Sequence, residues 1–273
     1  MAATTLRHPA VAGRFYPRDP EDLRAEVRGY TPHCPTPTPV RAFGCIVPHA
    51  GYRYSGHVAG AVFARLEIPE CCVVLGPNHT GMGSAFAIMS EGGWETPLGR
   101  IPIDVPLAAA LKQACPLLLE DSDAHRAEHA IEVELPFLQM RQPKLQFVPI
   151  ALGTQQFESL DQLGLALADI IAANNRPILI VASSDMNHYE SDAVTRVKDG
   201  KAIERILALD ARGLHEVVTQ QDVSMCGFGP AIAAITAAKK LGAQSAELVK
   251  YATSGDISGD RQLVVGYAGF LFH

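Results

Sequence analysis

The sequence predicts an α/β fold, a single domain with a central, mainly parallel or mixed sheet flanked by helices. Three observations predict it. Short β-branched runs alternate with longer helical stretches from residue 43 onward. Several of those runs are apolar on both faces, as strands buried between helix layers must be. Three of them, Gly44-Cys45-Ile46-Val47-Pro48-His49, Cys72-Val73-Val74-Leu75-Gly76-Pro77-Asn78-His79 and Ile178-Leu179-Ile180-Val181-Ala182-Ser183-Ser184-Asp185-Met186-Asn187-His188, each run out into a histidine.

Along the chain, residues 1–20 read as irregular, with Gly13 and Pro17 as breakers. Asp19-Pro20-Glu21-Asp22 starts a helix to about Arg28, its acids well placed in the first turn. Residues 31–39 form a Pro-rich connector. A strand at 43–47 precedes a helix near 56–66, and a strand at 71–76 leads into the Gly-rich loop Thr80-Gly81-Met82-Gly83. Short strands and turns fill 85–104, around Trp94, Pro97 and Gly99, before a helix near 105–114. A helix at 129–141, a strand at 145–152, a helix at 159–174 and a strand at 177–183 follow. Helices at 191–208 and 210–220 come next, and Gly227-Phe228-Gly229-Pro230 opens an Ala-rich helix to about Leu241. Two strands, near 246–252 and 262–272, close the chain as a candidate antiparallel pair. There is no internal repeat, and residues 1–273 read as one domain.

Composition narrows the function. The 48% hydrophobic and 19% charged content is that of a soluble globular chain. A net charge of −6 without a Lys or Arg run argues against nucleic acid and anionic membrane as partners. The six cysteines (Cys34, Cys45, Cys71, Cys72, Cys115, Cys226) show neither Cys-x-x-Cys nor zinc-ribbon spacing, so a reducing, cytoplasmic setting is expected. The start, Met-Ala-Ala-Thr-Thr-Leu-Arg, lacks a signal-peptide core. No apolar run reaches the roughly 18–20 residues of a membrane span.

Open α/β sheets bind ligands beyond the carboxyl ends of their strands. His49, His79 and the Asp185/His188 pair all stand at such ends. Each alone has a plainer reading: a loop histidine held by backbone, or, for Asp185, an N-cap of the next helix. Cys226 alone reads as a small buried apolar residue, but glycines follow it at a helix start, where thiolate is favoured. Jointly the pattern predicts a metal site. A serine-hydrolase reading of Ser183 or Ser184 fails for want of a Gly-x-Ser-x-Gly elbow. Gly81-Met82-Gly83 lacks the lysine and spacing of a phosphate loop. In Glu128-His129-Ala130-Ile131-Glu132, His129 and Glu132 are spaced to share a helix face, and support of the site or substrate contact is expected of them. A solvated helix start is the alternative, and no second Glu-x-x-His completes a di-metal motif.

Pro48-His49-Ala50-Gly51-Tyr52, Leu75-Gly76-Pro77-Asn78-His79, Glu128-His129-Ala130-Ile131-Glu132, Ser183-Ser184-Asp185-Met186-Asn187-His188 and Cys226-Gly227 occur in an order that resembles the Memo family. The opening Arg7-His8-Pro9-Ala10-Val11-Ala12-Gly13-Arg14-Phe15-Tyr16-Pro17 and the closing Tyr251-Ala252-Thr253-Ser254-Gly255-Asp256 resemble it too. The form is similar to the microbial branch called AmmeMemoRadiSam system protein B. The resemblance implies a class III extradiol dioxygenase-like fold, in which Fe(II) is held by two histidines and a carboxylate. On this chain it implies His49 and His79 as ligands, with Cys226 where those enzymes have glutamate. It implies His188 as the acid–base group and Asp185 in the same pocket. Thiolate is softer than carboxylate, so Cu or Zn competes with Fe(II) for the one metal position. Ala130 replaces the family's usual serine.

The leading expectation is a metal-dependent redox enzyme on a small molecule held near Tyr52, Tyr189 and Trp94, with Glu128 among the supporting residues. The alternative is a module that takes a peptide, phosphorylated on tyrosine, into the same cleft, with Arg53, Arg126 and Arg261 as candidate phosphate contacts. The resemblance also implies a radical-SAM partner. This chain lacks the Cys-x-x-x-Cys-x-x-Cys run of such a protein.

Overall fold

The structure is a computed structural model and describes residues 5–31 and 39–273; most of the Pro-rich connector lies outside the described residues. Its strands are β1 (Leu6–Arg7), β2 (Gly44–Val47), β3 (Cys71–Pro77), β4 (Phe86–Ile88), β5 (Gly93–Thr96), β6 (Gly99–Pro102), β7 (Leu119–Glu120), β8 (Gln146–Leu152), β9 (Ile178–Ser183), β10 (His188–Glu190), β11 (Ala246–Thr253) and β12 (Val264–Phe272). Nine form one sheet in the order β10-β12-β2-β9-β3-β8-β4-β7, with β11 also on β12, while β1, β5 and β6 form a small second sheet.

The central four strands, β2, β9, β3 and β8, are mutually parallel. Every residue of β2, β3 and β9 is buried, which is what their unbroken apolar sequences require. β12 runs antiparallel to both β2 and β11, as the sequence suggests for the closing pair. The sheet is thus mixed, parallel at its centre. The helix Phe228–Leu241 lies against β2, β3 and β9, backed by the helices Phe157–Ala172 and Ala211–Gln220. Its alanines permit close approach: a Cβ on Gly164 would stand 2.7 Å from the Ala233 carbonyl. The helix Tyr52–Arg65 packs on β11, β12 and β2. Among the described residues no helix is long and apolar enough to cross a membrane.

Two local differences from the sequence reading shape the site. The helix expected at 129–141 is a 3-10 turn, Glu132–Glu134, leading into a helix only at Leu135–Arg141. Pro136 explains this, because proline opens helices but disrupts their interiors. His129 and Glu132 therefore share no α-helical face. The short β10 is the other difference. β12 continues past the point where β2 ends, and His188 and Glu190 pair with Val265 and Val264 on that overhang. His188 is thereby carried to the ends of β2 and β9.

Candidate metal centre

Parallel register sets the first contact. Val47 is aligned with Ser183, so the chain leaving β2 turns beside the end of β9. His49 is buried there, and its Nδ1 lies 2.7 Å from Ser183 Oγ. Asp185 Oδ1 accepts the backbone N–H groups of His49, at 2.8 Å, and Ala50, at 3.3 Å. It tethers the His49 loop rather than capping a helix. Burial pushes the Asp185 carboxyl up to about 7, against the pull of those two N–H donors.

His79 follows β3 and keeps 33% of its side chain exposed. Its Nδ1–H donates to Glu128 Oε1 at 2.9 Å, and its backbone N–H donates to the other carboxylate oxygen. Burial works to lower the His79 pKa, but the Glu128 hydrogen bond and charge, with Asp185, hold it above the usual value. Burial likewise works to raise Glu128, and His79 with the Ala130 N–H keeps it below the usual carboxylate range. The two directions agree: on this fully buried carboxylate each partner favours the charged form of the other.

The turn that replaces the expected helix brings in His129. Its ring stacks on His79 with centroids 4.7 Å apart, and its Nδ1 lies 3.3 Å from the same Glu128 oxygen. His49 stands edge-on to both rings. Ligand atoms of His49, His79 and His129 all lie within 4.8 Å of one another, a group that could hold a metal ion. Cys226 Sγ is 3.3 Å from His49 Nε2. Burial and the neighbouring Asp185 push its thiol well above the ordinary value. Gly227 holds the cysteine close, since a Cβ there would meet the Ser183 carbonyl at 2.2 Å.

His188 completes the cluster. Its Nδ1–H donates to the Ser224 carbonyl at 2.9 Å, and its backbone N–H donates to Ser224 Oγ at 2.8 Å. Burial lowers its pKa, partly offset by the Ser224 and Met186 backbone. Buried Asn187 fixes this arrangement, accepting from Ser224 and donating its own N–H to Asp199 Oδ1 at 2.8 Å. Burial pushes the Asp199 carboxyl from 3.8 up to about 6. Below about pH 4 both folded and unfolded states hold that proton. As pH rises toward 6 only the unfolded state releases it, so stability falls by about 3 kcal/mol and then levels off. Denaturant melts of the wild type and Asp199→Asn across this range should show the variant gaining stability relative to the wild type by that order. Parallel curves would contradict the assignment.

The four histidines, Asp185, Ser224 and Cys226 line a cavity of about 620 Å³ together with Phe15, Tyr189 and Val265. Tyr189 is 73% exposed with φ of 59°, a left-handed conformation that costs a tyrosine energy and marks the cavity's mouth. Of the residues singled out in the sequence, His49, His79, His129, Asp185, His188, Tyr189 and Cys226 line the cavity, and Glu128 stands directly behind it. Tyr52 does not line it: the ring is buried in the core, and its hydroxyl donates to the Val133 carbonyl. Glu132 is also elsewhere, accepting from Arg7, the Ala10 and Val11 N–H groups and the Tyr16 hydroxyl, so it anchors the N-terminal segment. Trp94 is buried under Arg7. Arg261 pairs with Asp192 and Asp256, Arg126 with Asp123, and among the described residues no Lys or Arg lines the cavity. Phe15 and Ser224 were not singled out; the aromatic-rich opening segment is the one signal that could have found the first.

A profile of the family described as Memo-like protein matches residues 7–271. The chain belongs to the Memo-like protein family. Similar Memo-family relatives include MEMO1 family protein MK0963 of Methanopyrus kandleri, 45% identical over 97% of this chain and 98% of that one. MEMO1 family protein MTH_45 of Methanothermobacter thermautotrophicus is 41% identical, covering 96% and 99%. Among solved structures, the Escherichia coli K12 protein JW3007 shares the fold, with a TM-score of 0.54 at 13% identity, covering 83% of this chain and 99% of that one.

The Memo-like site fits a metal ion on its own geometry. In His49, His79 and His188 the Nδ1 atom is taken by Ser183, Glu128 and Ser224, which leaves Nε2 for the cavity. Imidazoles that ligate metals are held this way, their second nitrogen tied to a carboxylate, a carbonyl or a hydroxyl.

Proposed function

We propose that this Memo-like chain is a metal-dependent redox enzyme, oxygenase-like in its chemistry, acting on a small molecule in the cavity. The observation that carries the reading is the convergence of His49, His79 and His129 ligand atoms within 4.8 Å, beside the Cys226 sulfur. His49 and His79 are the invariable ligands of the proposal. Cys226, or His129 in its place, supplies the third. Mixed imidazole and thiolate donors suit Fe(II), Cu and Zn, and Fe(II) is favoured here because the set leaves coordination positions open. A bound iron or copper would supply one-electron chemistry.

The chain's own residues do the rest. Burial keeps the His188 imidazole neutral near pH 7, so its Nε2 can take a proton from a substrate hydroxyl and later return it. Asp185, its carboxyl pushed up to about 7 by burial, holds the His49 loop through the His49 and Ala50 N–H groups. Phe15 and Tyr189 offer aromatic walls to a small apolar substrate. The peptide alternative finds no Lys or Arg on the cavity wall among the described residues. Oxygen consumption by iron- or copper-loaded protein, screened against small aromatic hydroxy compounds, tests the enzyme reading. His188→Ala should keep its metal and lose turnover by 10²-fold or more, on the order of a general acid–base group's contribution. Equal rates in wild type and variant for every compound would defeat it.

A further inference from the structure

One buried carboxyl group behind the site is unused by this chemistry. Glu134 is fully buried on the 3-10 turn, its Oε1 2.9 Å from Ser183 Oγ and its Oε2 without a partner among the described residues. The same Ser183 oxygen lies 2.7 Å from His49 Nδ1 and 2.8 Å from the Ala130 carbonyl. We propose that Glu134 is a positioning residue for His49: a protonated carboxylic acid that donates to Ser183 and thereby holds the imidazole with its hydrogen on Nδ1 and its lone pair on Nε2.

Counting hydrogens leads there. A serine hydroxyl brings one hydrogen and two lone pairs. The Ala130 carbonyl can only accept, so it takes the serine hydrogen. The other two contacts then need hydrogens of their own, one from His49 Nδ1 and one from Glu134. With an ionised Glu134, only two of the three contacts could contain a hydrogen, and a charge would lie buried with one oxygen unpaired. Burial, reinforced by Asp185 and opposed by the Ser183 contact, pushes the Glu134 carboxyl well above its ordinary range, which agrees. The consequence reaches the cavity: His49 Nε2 carries no hydrogen, and the Cys226 thiol 3.3 Å away donates to it until a metal takes its place.

The inference rests on the metal reading only for its consequence, not for the proton count. Infrared difference spectra of metal-free wild type against Glu134→Gln near neutral pH should show the carbonyl stretch of a protonated carboxylic acid, sensitive to D₂O, lost in the variant. Nitrogen-15 spectra of labelled histidine should show His49 as a single Nδ1–H tautomer in wild type and in Glu134→Gln, whose amide can donate in the acid's place. Glu134→Leu frees the Ser183 hydroxyl to turn toward His49. It should give a mixture of tautomers and weaken Zn(II) binding by about tenfold, while adding nothing to Ser183→Ala in the double variant. Absence of the carboxylic acid band, or a Glu134→Leu protein with one His49 tautomer and wild-type Zn(II) affinity, overturns the proposal. A wild type that shows the band and the single tautomer yet binds no metal would leave Glu134 assigned and remove the proposed function instead.

Discussion

Replacing His49 and His79 together by alanine is expected to abolish metal retention, with affinity falling by more than 10³-fold. Both imidazoles have Nδ1 occupied and keep Nε2 for the ion, so the double variant removes two of the three proposed donors. His49 is fixed by Ser183 and by the Asp185 tether of its loop, and His79 by two contacts to Glu128. Each single variant should lose on the order of 10²-fold, because two remaining donors hold a divalent ion poorly. Single His129→Ala and Cys226→Ala variants separate the two candidates for the third position. The one that ligates should approach the loss seen for His79→Ala, and the other should cost no more than about tenfold. Competition titrations with a chromophoric chelator read all of these on one scale.

Glu128→Ala is expected to have the largest effect on folding. The buried carboxylate accepts the backbone N–H groups of His79, His129 and Ala130 as well as the His79 ring. Alanine leaves those donors unpaired inside the protein, and losses of about 3–5 kcal/mol follow when one side of a buried charged network is removed. Glu128→Gln keeps an acceptor and most of the packing, so it should fold with a smaller loss. It removes the charge that holds the His79 pKa up, so His79 should titrate lower in the variant, as histidine proton spectra against pH would show. Metal affinity should drop 10–100-fold, the usual cost of losing a carboxylate behind a ligating histidine. An unchanged His79 titration in Glu128→Gln would contradict the hold of the Glu128 charge on His79.

The strands that carry the site are legible because their signal is local. Continuous apolar runs such as Cys71–Pro77 specify buried strands, and the histidines a few residues beyond them inherit the sheet's carboxyl edge. Cys226 is legible through the glycines at its helix start. The supporting contacts join residues far apart in sequence, as with Glu128 and His79, Ser224 and His188, or Arg7 and Glu132, and no periodicity records such pairs. His129 shows the boundary between the two cases. Its spacing from Glu132 suggests a helix face, yet Pro136 delays the helix, and the resulting turn sends His129 into the cavity and Glu132 away from it. Tyr52 and Trp94 show the converse, since aromatic residues near a motif are more often core than contact. β10 escapes notice because its partner is an overhang of β12, a property of the assembled sheet and not of Tyr189 or its neighbours.

Anomalous diffraction from crystals of protein purified without oxygen, collected on both sides of the iron, copper and zinc edges, bears most directly on the metal centre. One peak per chain is expected, roughly 2.0–2.2 Å from His49 Nε2 and His79 Nε2, with Cys226 Sγ at about 2.3 Å or His129 as the third neighbour. The edge at which it appears names the metal. No peak among these side chains after soaking with Fe(II), Cu and Zn, or a peak bound elsewhere while His49 and His79 keep their Nε2 atoms free, would contradict the metal centre.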